Sequence, residues 1–245
     1  MSAKVGSGEV VSIIQTTKYP FEESVNLTVQ SGKAVSFPLY LRLPIWCSKP
    51  EIKVNGQKLS IDVLAGGYVK ITRNWKNGDK IVLQLPMELN VRKWAKNKNS
   101  VSVNYGPLTF SLKINENYVR RDSKETAIGD SRWQEKADPE KWPSYEIYPS
   151  SAWNYGLLLN KQKPELSFTI VKKPWPTDNN PFTNSGAPIE LKAKGKKITS
   201  WTIDQYGLCS VLPQSPVQTK EEVSNLTFVP MGGARLRISA FPVVN

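Results

Sequence analysis

Apolar and polar residues alternate without a break from Val35 to Leu43: Val35, Phe37, Leu39, Leu41 and Leu43 are interleaved with Ser36, Pro38, Tyr40 and Arg42, and Pro44 ends the run. Side chains of an extended chain point alternately to opposite faces, so this spacing predicts a strand with one buried face. The same period recurs at Val25-Leu27-Val29, Ile81-Leu83-Leu85 and Val101-Val103-Tyr105, each run bounded by a turn signal such as Asn77-Gly78-Asp79 or Gly106-Pro107. Asn55-Gly56 after Ile52-Lys53-Val54 carries the type I′ hairpin signature, with Leu59 and Ile61 on the return strand.

From Asn115 to Ser151 the alternation fades into charged and aromatic residues with Asp138-Pro139, Trp142-Pro143 and Tyr148-Pro149. Proline disfavours helix at the residue before it, so this stretch reads as an irregular connection with one helical turn near Trp133. Strands are expected again at Tyr155–Leu159, Leu166–Val171, Ile189–Ala193, Ile198–Ile203, Leu226–Val229 and Leu236–Phe241, with a long loop over 172–186. Many short strands at this spacing predict an all-β fold of two β-sandwich, jelly-roll-like domains, 1–116 and 117–245, the terminal strand being free to cross back to the first sheet.

Composition narrows the chemistry. The 245 residues include 18 Pro, 15 Gly and 8 Trp, which suits short strands and tight turns and excludes a disordered or collagen-like chain. No stretch approaches the ~20 apolar residues that span a bilayer, and Met1–Glu9 lacks the apolar centre of a signal peptide, so the chain reads as soluble with no membrane partner. Histidine is absent, which removes the commonest general base and the Ser-His-Asp and Cys-His arrangements. Cys47 and Cys209 lack the close spacing of a zinc or redox motif; two buried free thiols are the simplest reading, a disulfide between them the alternative.

The formal charge of +12 raises the question of a polyanion partner. Basic residues outnumber acidic ones 16 to 8 before Tyr118 and 17 to 13 from there on, so the excess is spread rather than gathered. The densest runs, Arg92 to Lys98 and Lys192 to Lys197, are short and fall at expected strand ends or turns. A solvated surface outweighs a nucleic-acid site.

Several phrases occur in a fixed order: Gln15-Thr16-Thr17-Lys18-Tyr19-Pro20, Leu41-Arg42-Leu43-Pro44-Ile45-Trp46, Val54-Asn55-Gly56, Gly67-Tyr68-Val69 and Arg73-Asn74-Trp75 with Gly78-Asp79. Tyr105-Gly106-Pro107-Leu108, Trp153-Asn154-Tyr155-Gly156-Leu157 and Leu236-Arg237-Ile238 with Phe241-Pro242 follow. Over roughly residues 11 to 242 this order resembles the C-terminal β-sandwich region of the β-L-arabinofuranosidase-type glycoside hydrolases, family 127 and its relatives. The resemblance implies a parent enzyme whose N-terminal (α/α)6 barrel carries the chemistry, with a glutamate and cysteines around zinc. It implies no cofactor and no catalytic residue in this chain, since neither Cys47 nor Cys209 matches a family ligand. A secreted or periplasmic parent acting on a plant-type glycan is the corresponding expectation, with a homo-oligomer as a further one.

A glycosidase active site requires two carboxyl groups ~5 to 9.5 Å apart, and nothing in the sequence pairs Glu22-Glu23, Glu116, Glu146 or Glu221-Glu222. Asp178-Asn179-Asn180 reads as a polar turn rather than a calcium loop. The aromatic set Trp133, Trp142, Tyr145, Tyr148, Trp153 and Tyr155 is concentrated where alternation stops, and flat rings pack on sugars as well as on protein surfaces. These residues are the candidates for a sugar-facing or barrel-facing surface, against the simpler reading that Trp153 and Tyr155 anchor the core and the others fill a domain seam. Trp46, Trp75 and Trp201 read as core. Three roles remain: an accessory region of a glycosidase, an independent carbohydrate-binding module with an exposed aromatic platform, and a polyanion binder with a contiguous basic face.

Overall fold

The structure, a computed structural model, describes residues 1–6, 8–60, 66–121, 140–141, 143–205 and 207–245. Its regular elements are β-strands and two short 3-10 turns, and among the described residues no helix is long and apolar enough to cross a membrane. The fold is an all-β sandwich. The chain divides into two compact units, one formed by 1–90 with 104–108, the other by 91–103 with 109–245.

The first unit contains β1 (Ser2–Val5), β2 (Glu9–Thr17), β3 (Ser24–Ser31), β4 (Val35–Arg42), β5 (Glu51–Val54), β6 (Gln57–Lys58), β7 (Tyr68–Trp75) and β8 (Lys80–Gln84). Six of them form an antiparallel sheet in the order β1-β2-β3-β8-β5-β6, while β4 and β7 pair only with each other. The alternation in β4 has the expected consequence: Val35, Phe37 and Leu41 are buried with Leu27, Val29, Ile52, Ile71, Trp75 and Ile81 in one apolar core. Trp75 is fully buried, and its indole N–H donates to the Phe37 carbonyl at 3.0 Å, because a buried donor without an acceptor would be costly. The hairpin at Asn55-Gly56 forms as its sequence predicts, with φ of 51° and 82° at the two turn residues. The Asn55 side chain accepts from the Lys80 N–H and donates to Asp79, tying this turn to the next strand.

The second unit's strands are drawn from β9 (Leu89–Trp94), β10 (Ser100–Tyr105), β11 (Leu108–Leu112), β12 (Glu116–Arg121), β13 (Ser144–Pro149), β14 (Tyr155–Leu157), β15 (Thr169–Lys172), β16 (Ile189–Lys197) and β17 (Val223–Pro230). A seven-stranded sheet runs β14-β16-β17-β11-β10-β9, with β15 pairing along the other half of β16. Its core holds Phe110, Leu157, Leu191, Phe228 and Phe241, and Phe228 meets Phe168 and Phe241 edge-on at 5.9 and 5.3 Å.

Three segments differ from expectation. The ends of the connection expected to be irregular form an antiparallel pair, β12 against β13, running from Glu116↔Pro149 to Arg121↔Ser144. Ile198–Ile203 is not a strand: the Trp201 N–H turns back onto the Ile198 carbonyl at 3.0 Å, and the Asn154 amide donates to the carbonyls of both. Leu236–Phe241 is not a regular strand either. Its backbone partners are scattered, the Leu112 N–H and the Ser111 hydroxyl both donating to the Ile238 carbonyl, and only Phe241 bridges Val101.

Candidate functional site

A cleft of about 500 Å³ in the second unit lies between β13, Trp153, the turn around Cys209 and the segment Leu236–Ile238. Its walls are mostly apolar: Ile114, Ile147, Ile203, Leu236 and Ile238 contribute side chains. The back wall is anchored by two indoles. Trp153, half-buried, packs edge-on against the buried Trp201 with ring centroids 5.1 Å apart, and the Trp201 indole N–H donates to the Ser210 carbonyl at 3.2 Å. The Asn154 amide clamps the turn that carries Trp201, so the neighbouring backbone is fixed as well.

The rim is polar and organised by cross-strand pairs. Tyr148, 45% exposed, donates its hydroxyl to Glu146, which also accepts from Arg121 Nε at 2.9 Å across the β12–β13 pair. The bonds from Tyr148 and then from Arg121 hold the Glu146 carboxyl below its ordinary range. Glu116 accepts from the Tyr118 hydroxyl at 2.7 Å and from the Arg235 N–H at 3.1 Å, fastening β12 to the segment that forms the opposite wall. Tyr118 meets Tyr145 edge-on at 6.2 Å.

This arrangement can bind a surface or a ring. Glu146 is the one carboxylate among the described lining residues, and it is kept ionised rather than poised as an acid. Cys209 is exposed in the cleft wall with its thiol pushed up by burial of the sulfur, while Cys47 is fully buried in the first unit and donates toward the Pro86 carbonyl at 3.7 Å. Both cysteines are free thiols, and the expectation that both are buried fails at Cys209 because its strand-free turn leaves it at the surface. Among the described residues no three His, Cys, Asp or Glu side chains gather as metal ligands. Glu23, considered among the carboxylates, is structural: it accepts from the Met87 N–H at 3.0 Å and from the Tyr105 hydroxyl at 3.3 Å. Asp178 and Asn179 use their side-chain oxygens inside their own turn, on the Asn180 N–H and the Trp175 indole.

Of the six aromatic candidates, Tyr148 and Trp153 line the cleft together. Tyr145 lies with Tyr118 on the β12–β13 pair, and Tyr155 lines a separate shallow hollow with Asn115 and Thr227. Trp133 and Trp142 lie outside the described residues. Arg121, Ile203, Cys209 and the Leu236–Ile238 wall were not among the sequence candidates for a binding surface.

A second electrostatic centre lies elsewhere in the unit. Glu190, on β16 and 6% exposed, is surrounded by Lys113 Nζ at 3.0 Å, Lys173 Nζ at 3.1 Å and Lys192 Nζ at 3.3 Å. Burial alone would raise its pKa, but the three ammonium groups outweigh that and bring it down to about 2.

Residues 1–87 match the family model described as the β-L-arabinofuranosidase GH127 middle domain. Solved structures similar over the chain include a GH127 β-L-arabinofuranosidase from Geobacillus stearothermophilus T6, at 20% identity and a TM-score of 0.59, covering 100% of this chain and 32% of that one. A glycoside hydrolase is similar at 19% identity and a TM-score of 0.60, covering 100% of this chain and 34% of that one. A further GH127 β-arabinofuranosidase is similar at 17% identity and a TM-score of 0.60, covering 99% and 33%. None of the curated proteins compared with the chain matches it. The resemblance to the non-barrel region of these enzymes thus holds, by family model over residues 1–87 and by fold over the whole chain, which spans about a third of their length.

Proposed function

We propose that the chain is the non-catalytic β-sandwich region of a carbohydrate-cleaving glycoside hydrolase of the β-L-arabinofuranosidase type, serving to support a catalytic (α/α)6 barrel and to border its substrate cleft. The observation that supports this reading is coextension: the fold of 99 to 100% of this chain corresponds to only 32 to 34% of each of the three similar enzymes. The apolar cleft with Tyr148 and Trp153 is the surface we assign to contact with the barrel. Exposed rings over an apolar hollow are the composition found at the centre of protein interfaces.

Mixing the chain with a separately made barrel of the parent enzyme tests this. Association is expected, with Tyr148→Ala weakening it about thirtyfold, as for a central aromatic worth ~2 kcal/mol, and with an unchanged melting temperature. Absence of any complex at micromolar concentration would sink the proposal. So would turnover of an arabinofuranoside by the isolated chain that disappears in Cys209→Ser.

A further inference from the structure

We propose that the outward face of the β4–β7 pair is a binding platform for an acidic polysaccharide, with sugar rings on Tyr40 and Tyr68 and sugar carboxylates on Arg42 and Lys70. This site is independent of the accessory-region reading, since it would serve a free-standing module equally.

The pair runs in register from Val35↔Trp75 to Arg42↔Tyr68 and has no third strand among the described residues. Its inner positions form the roof of the core, so period two sends Ser36, Pro38, Tyr40 and Arg42 outward from β4 and Tyr68, Lys70, Thr72 and Asn74 outward from β7. All eight are exposed. Tyr40 stands opposite Lys70 and Arg42 opposite Tyr68, so the two tyrosines are diagonal neighbours with a cation beside each. Diagonal positions on one sheet face lie about 7–8 Å apart, within reach of one extended ligand.

Two features separate these tyrosines from the others on the surface. Tyr118 and Tyr148 commit their hydroxyls to Glu116 and Glu146, Tyr145 packs on Tyr118, and Tyr19 stacks on Trp46. Tyr40 and Tyr68, 55% and 63% exposed, have no hydrogen-bond or ring partner among the described residues. Two large exposed rings at diagonal positions on one sheet face can stack against the C–H face of a sugar. The charge pattern selects the class of sugar. None of the eight outward positions carries a carboxylate, and neither Arg42 nor Lys70 has an ion-pair partner among the described residues. A neutral glycan would leave both cations unused, whereas a uronate chain offers one carboxylate per ring to them.

Isothermal titration of the whole chain with a galacturonic acid pentamer, a neutral arabinan oligomer and dextran sulfate tests the proposal. The uronate pentamer is expected to bind, more tightly than the neutral oligomer and less so at high salt. Tyr40→Ala/Tyr68→Ala should weaken it about tenfold or more, and Arg42→Gln/Lys70→Gln about tenfold, both with unchanged melting temperature because all four side chains are exposed. Absence of binding, equal binding of the neutral oligomer, or binding of dextran sulfate that survives the tyrosine pair would each overturn it. Sedimentation showing that the tyrosine pair abolishes only self-association would also overturn it, by assigning the face to a second copy.

Discussion

The β4–β7 and β12–β13 pairs are both two-stranded antiparallel ribbons, and they are held together by opposite means. β4–β7 turns one side to a core containing Phe37, Ile71 and the fully buried Trp75, so its strands are fixed chiefly by apolar area removed from water. β12–β13 has no buried residue on either side, and its side chains join the strands through Arg121 to Glu146 and Tyr118 to Tyr145, with Tyr148 bonded to Glu146 along β13. Fully burying one large apolar side chain is worth about 1.5–3 kcal/mol, and an exposed ion pair about 0–1 kcal/mol. The first ribbon therefore belongs to the cooperative core, while the second can open alone at low cost. A cleft rim built on such a ribbon can adjust to what it meets.

The largest effect that would sharpen this contrast is at Trp75. Trp75→Ala should cost about 3–5 kcal/mol, since it opens a cavity and strands the Phe37 carbonyl, and urea unfolding should show the loss. A loss no greater than that of a surface change would break the comparison. Glu190 asks whether a charge cluster inside the core behaves like the core or like the rim. Its carboxyl is depressed to about 2, so the stability it contributes is full above the ordinary carboxylate pKa of about 4.5 and is lost as pH falls through 2. The expected loss between these values is roughly 3 kcal/mol, read from urea midpoints against pH. Glu190→Gln should remove that part of the pH dependence; an unchanged profile would count against it. The smallest effect is at the rim, where Arg121→Ala should change stability by less than about 1 kcal/mol and less still in high salt. A larger, salt-independent cost would show that β12–β13 is part of the core.

The same difference governs what could be read from the sequence. β3, β4 and β8 were legible because each has one buried side, and burial imposes alternation on the residues that face it. β12 and β13 were not, because Asn117, Tyr118, Arg120 and Arg121 are exposed on both sides and nothing forces a period. Ile198–Ile203 and Leu236–Phe241 failed in the other direction: they have apolar residues at strand spacing, yet their backbones bond to a turn and to scattered partners. Tyr148 and Trp153, which line the cleft, were named as candidates because aromatic crowding without alternation is itself a signal. Ile203, Cys209 and Leu236 were not, since only tertiary folding brings them beside β13.

Residues near 241–244 are woven into the second unit: Phe241 bridges Val101, Val243 lies parallel to Leu157 and Val244 to Val217. Gly156 leaves the space that Val244 occupies, so the fit admits no side chain there. For a chain emerging from the ribosome this sets an order of events. The first unit has every residue it needs once Leu108 is out, and its strand pairings span no more than the separation of Ser24 from Gln84. The second unit must hold the outer edge of β11 open until β17, more than a hundred residues later, is synthesised, which makes its closure the slow, late and aggregation-exposed step of biogenesis.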